Sequence, residues 1–219
     1  MKEKQRYRAV FFDLDGTLCN TLADLTASLN YALRTFDHPT YSEEAVRTFI
    51  GNGLSKLIER ALPDADEPHR KAVLTIVNAH YKRHCADRTL PYPGIPEALA
   101  VLRARGYRLA VLTNKPHEAA AKILETLFLP GTFDWIAGHR DGMPHKPDPK
   151  LLFMAAEALK LAPESIVYVG DSDVDVRFSE NAGTGMIGCA WGFRGRQHLL
   201  DSGAPIVIDR PEELTEKLQ

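Results

Sequence analysis

Cysteine is scarce in this chain of 219 residues, and the three present (Cys19, Cys85, Cys189) stand far apart with no CxxC pair. That spacing argues against a disulfide framework and gives no zinc signature; it fits a reducing cytoplasm. Long apolar runs are lacking as well. Nothing approaches membrane-spanning length, and the charged segment Met1 to Arg8 is followed only by the four apolar residues Ala9 to Phe12, too few for a signal-peptide core. Excess charge of either sign is also missing. The formal net charge is -2 and no Lys/Arg tract is clustered, which argues against nucleic acid or an anionic membrane as the main partner. Internal repeats and low-complexity segments are not found. What remains is an ordinary globular composition, long enough for one α/β domain plus a smaller one, with a small molecule as the expected partner.

Against that background the stretch Ala9 to Leu18, Ala-Val-Phe-Phe-Asp-Leu-Asp-Gly-Thr-Leu, stands out. Its apolar, β-branched and aromatic start reads as a buried strand that ends abruptly in two carboxylates and a glycine turn. Polar chemistry therefore sits at the carboxyl end of the strand, where ligands bind in open α/β sheets. Asp13 and Asp15 are two apart, so in an extended chain both project to one side, and Gly16 lets the chain break away. Two neighbouring carboxylates repel each other unless a cation lies between them. As hard oxygen ligands they suit Mg2+, which commonly brings a phosphate with it.

The next convincing strand is Arg108 to Leu112, and nearly ninety intervening residues exceed what a simple βαβ unit needs. The insert reads as helical from its 3-and-4 spacing: Leu22, Leu25, Leu29, Leu33, Phe36; then Leu54, Leu57, Ile58, Ala61, Leu62; then Val73, Val77, Tyr81, His84. Ser42-Glu-Glu-Ala45 opens a short helix between the first two. Residues 19–88 are therefore expected to form a helical cap placed to act as a lid, returning through Leu90-Pro-Tyr-Pro-Gly94, with 1–18 and 89–219 as the core. Beyond it strands and helices alternate: a helix from Pro96 to Gly106, Arg108 to Leu112, a helix opened by Pro116, Trp135 to Ala137, a helix from Asp148 or Pro149 to Leu161, Ile166 to Val169, a helix to Ala182, then Met186 to Cys189 and Ile206 to Ile208. Such alternation predicts an α/β fold, a Rossmann-like parallel sheet covered on both faces with an inserted helical cap.

Three strands end in groups suited to phosphate and metal: Asp13/Asp15, Thr113/Asn114 and Asp171/Asp175. Strand tips of one parallel sheet are neighbours, so motifs a hundred residues apart can converge on one site. These stretches also carry a resemblance. Asp13-Leu-Asp15-Gly16-Thr17-Leu18 resembles the first motif of the haloacid dehalogenase superfamily in its phosphatase form, Thr113 with Asn114 the second, Lys146 in His-Lys-Pro-Asp the third, and Gly170-Asp171 with Asp175 the fourth. The insert is similar to the small cap of the branch that contains phosphoglycolate phosphatase. Phe49-Ile-Gly-Asn-Gly53, Leu57-Ile-Glu-Arg-Ala61-Leu62 and Thr113-Asn-Lys-Pro116 resemble the bacterial members of that group. Pyrophosphatases of the same branch are similar too.

The resemblance implies Mg2+-dependent hydrolysis of a small phosphomonoester, 2-phosphoglycolate first among them, through an aspartyl-phosphate. Asp13 would be the nucleophile. Asp15 would protonate the departing alkoxide and then, as carboxylate, take a proton from water. Metal would be held by Asp13, the backbone carbonyl of Asp15 and Asp171, with Asp175 supporting from behind or through water, while Asp173 caps the following helix. Thr113 hydroxyl and Asn114 N–H would bind phosphoryl oxygens, and Lys146 would neutralise charge.

Other positions have plainer readings. Gly51-Asn52-Gly53, between two helices, either presents N–H groups to a substrate carboxylate or simply ends a helix. His80, His84 and Cys85 have metal-ligand spacing on a helix face but are expected to pack the cap. Trp191-Gly-Phe-Arg194 follows a strand tip near the site, although an ordinary surface turn is the expected account. Asn20 departs from the family pattern, which has an acid there, and so bears on the cap hinge rather than on phosphoryl chemistry. A dehalogenase needs no acid at position 15, whereas a phosphomutase or a non-catalytic phospho-accepting module remains an alternative; a monomer or a homodimer is expected.

Overall fold

The computed structural model describes residues 7–218. Its first strand, β1 (Ala9–Phe12), is fully buried and lies at the centre of the sheet. Then come β2 (Cys19–Asn20), α1 (Leu22–Thr35), α2 (Glu43–Phe49), α3 (Leu54–Ala61), α4 (Glu67–His84) and β3 (Leu90–Pro91). The remainder alternates: α5 (Ile95–Ala104), β4 (Arg108–Pro116), α6 (His117–Leu127), β5 (Trp135–His139), α7 (Lys150–Leu159), β6 (Ile166–Gly170), α8 (Asp173–Ala182), β7 (Gly185–Cys189), α9 (Gly195–Asp201), β8 (Val207–Ile208) and α10 (Glu212–Lys217).

The six-stranded sheet has the order β5-β4-β1-β6-β7-β8, and every pairing in it is parallel. This is the α/β architecture expected from the alternation of elements. Strand β1 is flanked by β4 and β6, so all three polar strand tips are adjacent. Side chains alternate between two apolar layers: Val10 and Phe12 share one with Leu109, Val111, Val167 and Val169, whereas Ala9 and Phe11 share the other with Ala110, Leu112, Ile166 and Tyr168. Parallel strands buried on both faces read as continuous apolar runs, which is why these were visible in the sequence.

Helices α1–α4 occupy the excursion between β1 and β4. Their apolar stripes (Leu25, Leu29 and Leu33 on α1; Leu57 and Ile58 on α3; Val73, Val77 and Tyr81 on α4) join the same apolar layer as Val10 and Phe12. Helix α2 starts at Ser42, whose hydroxyl accepts the Ala45 N–H, and α4 starts at Asp66, which accepts the His69 N–H; each satisfies an amide the first turn leaves free.

Three features were not legible beforehand. Cys19–Asn20 pairs antiparallel with Leu90–Pro91, closing the excursion at its base, and two-residue strands are too short to show a period. Asp24, buried on α1, accepts the amides of Arg88 and Thr89 and the Thr89 hydroxyl, tying the outgoing helix to the returning chain. Strand β4 also runs four residues further than expected, to Pro116, because it continues past an irregularity to pair with His139; the helix therefore starts at His117.

Candidate active site

The chain bends at Leu14 rather than continuing extended, so the carboxylates of Asp13 and Asp15 enter separate ion pairs although both line one cleft. Each has its own lysine. Lys146 Nζ lies 3.0 Å from Asp13 Oδ1, 2.8 Å from Asp175 Oδ1 and 3.0 Å from the Tyr168 hydroxyl, with its side chain 2% exposed. Burial disfavours its ammonium, yet the two carboxylates outweigh that and hold its pKa well above the ordinary lysine value. The loop carrying Lys146 is fixed by Asn114: its Oδ1 accepts the Lys146 N–H at 2.7 Å, and its Nδ2 donates to the Lys146 carbonyl and, at 3.3 Å, to that of Gly51. The Asn114 side chain thus braces the site, which leaves any ligand contact to its backbone.

Asp15 Oδ1 receives two donors, Lys115 Nζ at 2.7 Å and the Thr21 hydroxyl at 2.6 Å. Lys115 is itself buried and also donates to the Tyr81 hydroxyl on α4 at 2.6 Å, its ammonium 4.7 Å from the ring centroid. Sequence reasoning gave Lys115 no role. The apolar run ends at Leu112, so Lys115 read as part of a loop and carried no signal of burial.

Asp13, Asp171 and Asp175 offer carboxylate oxygens that all lie within 4.8 Å of one another, and all three residues are buried. Three carboxylates face one lysine there, a deficit that a divalent cation would make good. Burial, opposed by Lys146 and reinforced by Asp175 and Asp15, pushes Asp13 up to about 6; burial and the charges of Asp175 and Asp13 push Asp171 well above the usual carboxylate range. Asp13 Oδ1 is buried without an aligned hydrogen bond. Asp171 Oδ2 accepts the Phe193 N–H at 2.6 Å. Asp175 differs from both, since Oδ1 is held by Lys146 and Oδ2 by the Ser172 N–H and hydroxyl. An all-oxygen set of three buried carboxylates facing only one lysine fits Mg2+, with Asp13 and Asp171 the freer ligands. The Asp15 carboxylate lies outside this group, so any part it takes in metal binding falls to its backbone carbonyl. Asp173 pairs with Arg177 and His198 away from the group.

Above this floor the cleft is walled by Ile50, Gly51, Gly53, Leu54 and Leu57 from the helical layer and by Phe193 and Arg194 from the loop after β7. Asn52 is not part of the wall; its side-chain oxygen accepts from Arg60. The expectation of a plain surface turn at Trp191 to Arg194 is corrected. Trp191 Nε1 donates to the Thr17 carbonyl, Phe193 N–H binds Asp171, and Arg194 Nη2 donates to the Ile50 carbonyl at 2.6 Å, while Arg47 on α2 donates to the carbonyls of Gly192 and Phe193. Gly192 permits this close approach, because a Cβ there would collide with the Asp171 side chain and the Gly16 carbonyl. Periodicity carries no information about an irregular loop, so only the tertiary contacts reveal it.

His80, His84 and Cys85 form no ligand group among the described residues. His80 stacks on Tyr31 and His84 and pairs with Ser28, His84 pairs with Asp87, and the Cys85 thiol is buried. Asn20 Oδ1 lies 3.3 Å from the Leu22 amide at the start of α1.

The chain as a whole is similar to known proteins. The chain is 34% identical over 208 residues to a phosphoglycolate phosphatase of Aquifex aeolicus, covering 94% of each. It is 33% identical to phosphoglycolate phosphatase 1 of Pseudomonas aeruginosa, covering 94% of this chain and 78% of that one. A solved structure of a predicted phosphoglycolate phosphatase from Haemophilus somnus superposes with a TM-score of 0.92 at 30% identity, covering 99% of this chain and 100% of the other. Residues 10–189, spanning all three polar strand tips and the helical excursion between them, match the haloacid dehalogenase-like hydrolase model, and the chain belongs to that family.

Proposed function

We propose that this phosphoric monoester hydrolase acts on 2-phosphoglycolate through an aspartyl-phosphate on Asp13, with Mg2+ held by the carboxylates of Asp13 and Asp171 and the backbone carbonyl of Asp15. The observation that carries the reading is the pairing of two carboxylates, two residues apart at the central strand tip, with separate buried lysines. One is equipped as nucleophile beside the acidic group and the other as proton carrier in the open cleft.

A carboxylate oxygen of Asp13 attacks phosphorus and the bond from phosphorus to the glycolate oxygen breaks. Lys115 and Thr21 both engage Asp15 Oδ1, so Oδ2 is the oxygen that carries the proton given to the departing alkoxide. The resulting Asp15 carboxylate then takes a proton from water as that water attacks the phosphoryl group, releasing inorganic phosphate and restoring Asp13. Thr113 lies beside Asp13, where it helps hold the carboxyl's pKa down, and lines the cleft, which suits its hydroxyl to a phosphoryl oxygen. Lys146 keeps Asp13 anionic and balances charge on the transferred group. When bound, Mg2+ supplies the positive charge that offsets repulsion between an anionic nucleophile and an anionic substrate. Asp175 positions Lys146 through its carboxylate. Residues 19–88 are the lid that excludes bulk water while the acyl phosphate exists.

Relatives called phosphoglycolate phosphatases, similar over nearly the whole chain, support the choice of substrate. A cytoplasmic location belongs to the same proposal, supported by three unpaired cysteines; among the described residues no helix is long and apolar enough to cross a membrane. The test is kcat/KM for a panel of phosphomonoesters and pyrophosphate, with and without Mg2+. Phosphoglycolate is expected to lead and to require the metal. Absence of turnover on every phosphomonoester with Mg2+ present would reject the reading, and pyrophosphate outpacing phosphoglycolate would replace the substrate.

A further inference from the structure

Three cationic side chains line or floor the cleft, and two of them are neutralised: Lys146 by Asp13 and Asp175, Lys115 by Asp15. Arg194 is different. Among the described residues no carboxylate lies within ion-pair distance of its guanidinium, and its one hydrogen bond is from Nη2 to the Ile50 carbonyl. Its charge acts on the site only at longer range, lowering the pKa of Asp171 slightly against burial. Two of its nitrogens therefore keep unused donors beside the cleft, and guanidinium suits planar, two-oxygen anions.

The wall around Arg194 is complementary. Gly51 lies so near that a Cβ placed on it would be 3.5 Å from Arg194 Nη2, and its backbone φ of +121° is one that side-chain-bearing residues rarely adopt. Two residues on, Gly53 starts α3 with no side chain capping its first amides, and both Gly53 and Leu54 line the cleft. An uncapped helix start favours negative charge, and here it stands on the same wall as the unpaired arginine.

We infer that Arg194, with the adjoining Gly51–Leu54 turn, is the specificity-determining subsite for a second anionic group on the substrate, so that this enzyme selects phosphoryl compounds whose leaving group carries its own negative charge. The inference rests on the phosphatase reading above. A carboxylate and a second phosphate share the required chemistry, and phosphoglycolate and pyrophosphate respectively present them.

The test compares kcat/KM for phosphoglycolate, pyrophosphate and ethyl phosphate, whose far end is uncharged, in the full-length wild type and in Arg194→Met and Arg194→Lys. Wild type is expected to prefer one of the two substrates with an anionic far end over ethyl phosphate by about 100-fold or more, and which of them leads identifies the group recognised. Arg194→Met is expected to collapse that preference to within about tenfold, chiefly through KM, and Arg194→Lys to restore part of it. Because the preference is a ratio from one preparation, loss of folded protein cancels, and if Arg194→Met does not fold, the wild-type ratio and the lysine variant still decide. A wild-type preference below tenfold overturns the inference, as does a ratio unchanged in Arg194→Met. A matched fall on all three substrates with a raised Mg2+ requirement also overturns it and assigns Arg194 to Asp171 instead. Turnover of none of the three by wild type counts against the phosphatase reading itself, whereas turnover without preference counts only against the subsite.

Discussion

The floor and the roof of the cleft are built on different terms. On the floor, side chain meets side chain: Lys146 touches Asp13, Asp175 and Tyr168, and Lys115 touches Asp15, all from buried positions. Across to the roof, most contacts are made by side chains to backbone carbonyls: Asn114 to Gly51, Arg194 to Ile50, Arg47 to Gly192 and Phe193. Side chains also meet across this boundary, Lys115 with Tyr81, Thr21 with Asp15 and Lys82 with Glu118. A floor of paired charges tolerates almost no change, because removing one partner strands the other in a low-dielectric setting. A roof held through carbonyls depends less on which side chains sit above them, except where the backbone itself is constrained, as at Gly51 with its φ of +121° and at Gly192, where a Cβ would collide with Asp171.

The comparison is broken most severely at Asp13. Asp13→Asn keeps the shape while removing the nucleophile, and kcat is expected to fall by about four orders of magnitude or more, measured on phosphoglycolate at saturating Mg2+. Lys146→Met leaves Asp13 and Asp175 without their cation, and denaturant unfolding is expected to reveal a loss of about 3 kcal/mol; a variant as stable as wild type would mean those carboxylates are protonated in the fold. Mg2+ sharpens the picture of the floor. At a hundred times its dissociation constant it should stabilise the protein by about 2.7 kcal/mol in thermal melts, an effect that Asp171→Asn abolishes.

Effects across the roof are expected to be smaller. Tyr81→Phe removes one hydrogen bond to Lys115 while keeping the ring, so the expected loss is about 1 kcal/mol in stability, with kcat falling several-fold as Lys115 and Asp15 lose their fixed placement. Smallest of all is Arg47→Ala, whose exposed guanidinium reads only carbonyls. Stability should change by less than about 1 kcal/mol, and stopped-flow measurement of substrate binding should detect faster opening of the cleft. If Arg47→Ala destabilised more than Lys146→Met, the distinction between floor and roof would be wrong.

Most of the architecture was legible because two periods dominate it. Buried parallel strands such as Ala9–Phe12 are continuous apolar runs, and α1, α3 and α4 carry 3-and-4 stripes. The polar strand tips were legible for the same reason, each being the abrupt end of such a run. Legibility failed where a residue's role depends on a distant partner. Lys115 looked like part of a loop until Asp15 and Tyr81 stood beside it, and nothing in the sequence marked Asp24, which accepts the amides of Arg88 and Thr89 from a buried position. Asn52 failed in the other direction, for the backbone of its neighbours lines the cleft while its own side chain serves Arg60.

The amino-acid sequence determined by itself the parallel sheet, the helical excursion and the strand-tip candidates Asp13, Asp15, Thr113, Asn114 and Asp171, since periodicity and abrupt polar endings are local properties; Lys146, in a loop, was marked by its resemblance to a family motif. Only tertiary structure decided which lysine serves which carboxylate, that Asp175 is committed to Lys146 and Ser172, and that Phe193 and Arg194 belong to the cleft. Ion pairs and hydrogen bonds act over about 3 Å, and whether two groups come that close is fixed by sheet register and loop path, quantities no single stretch of chain contains.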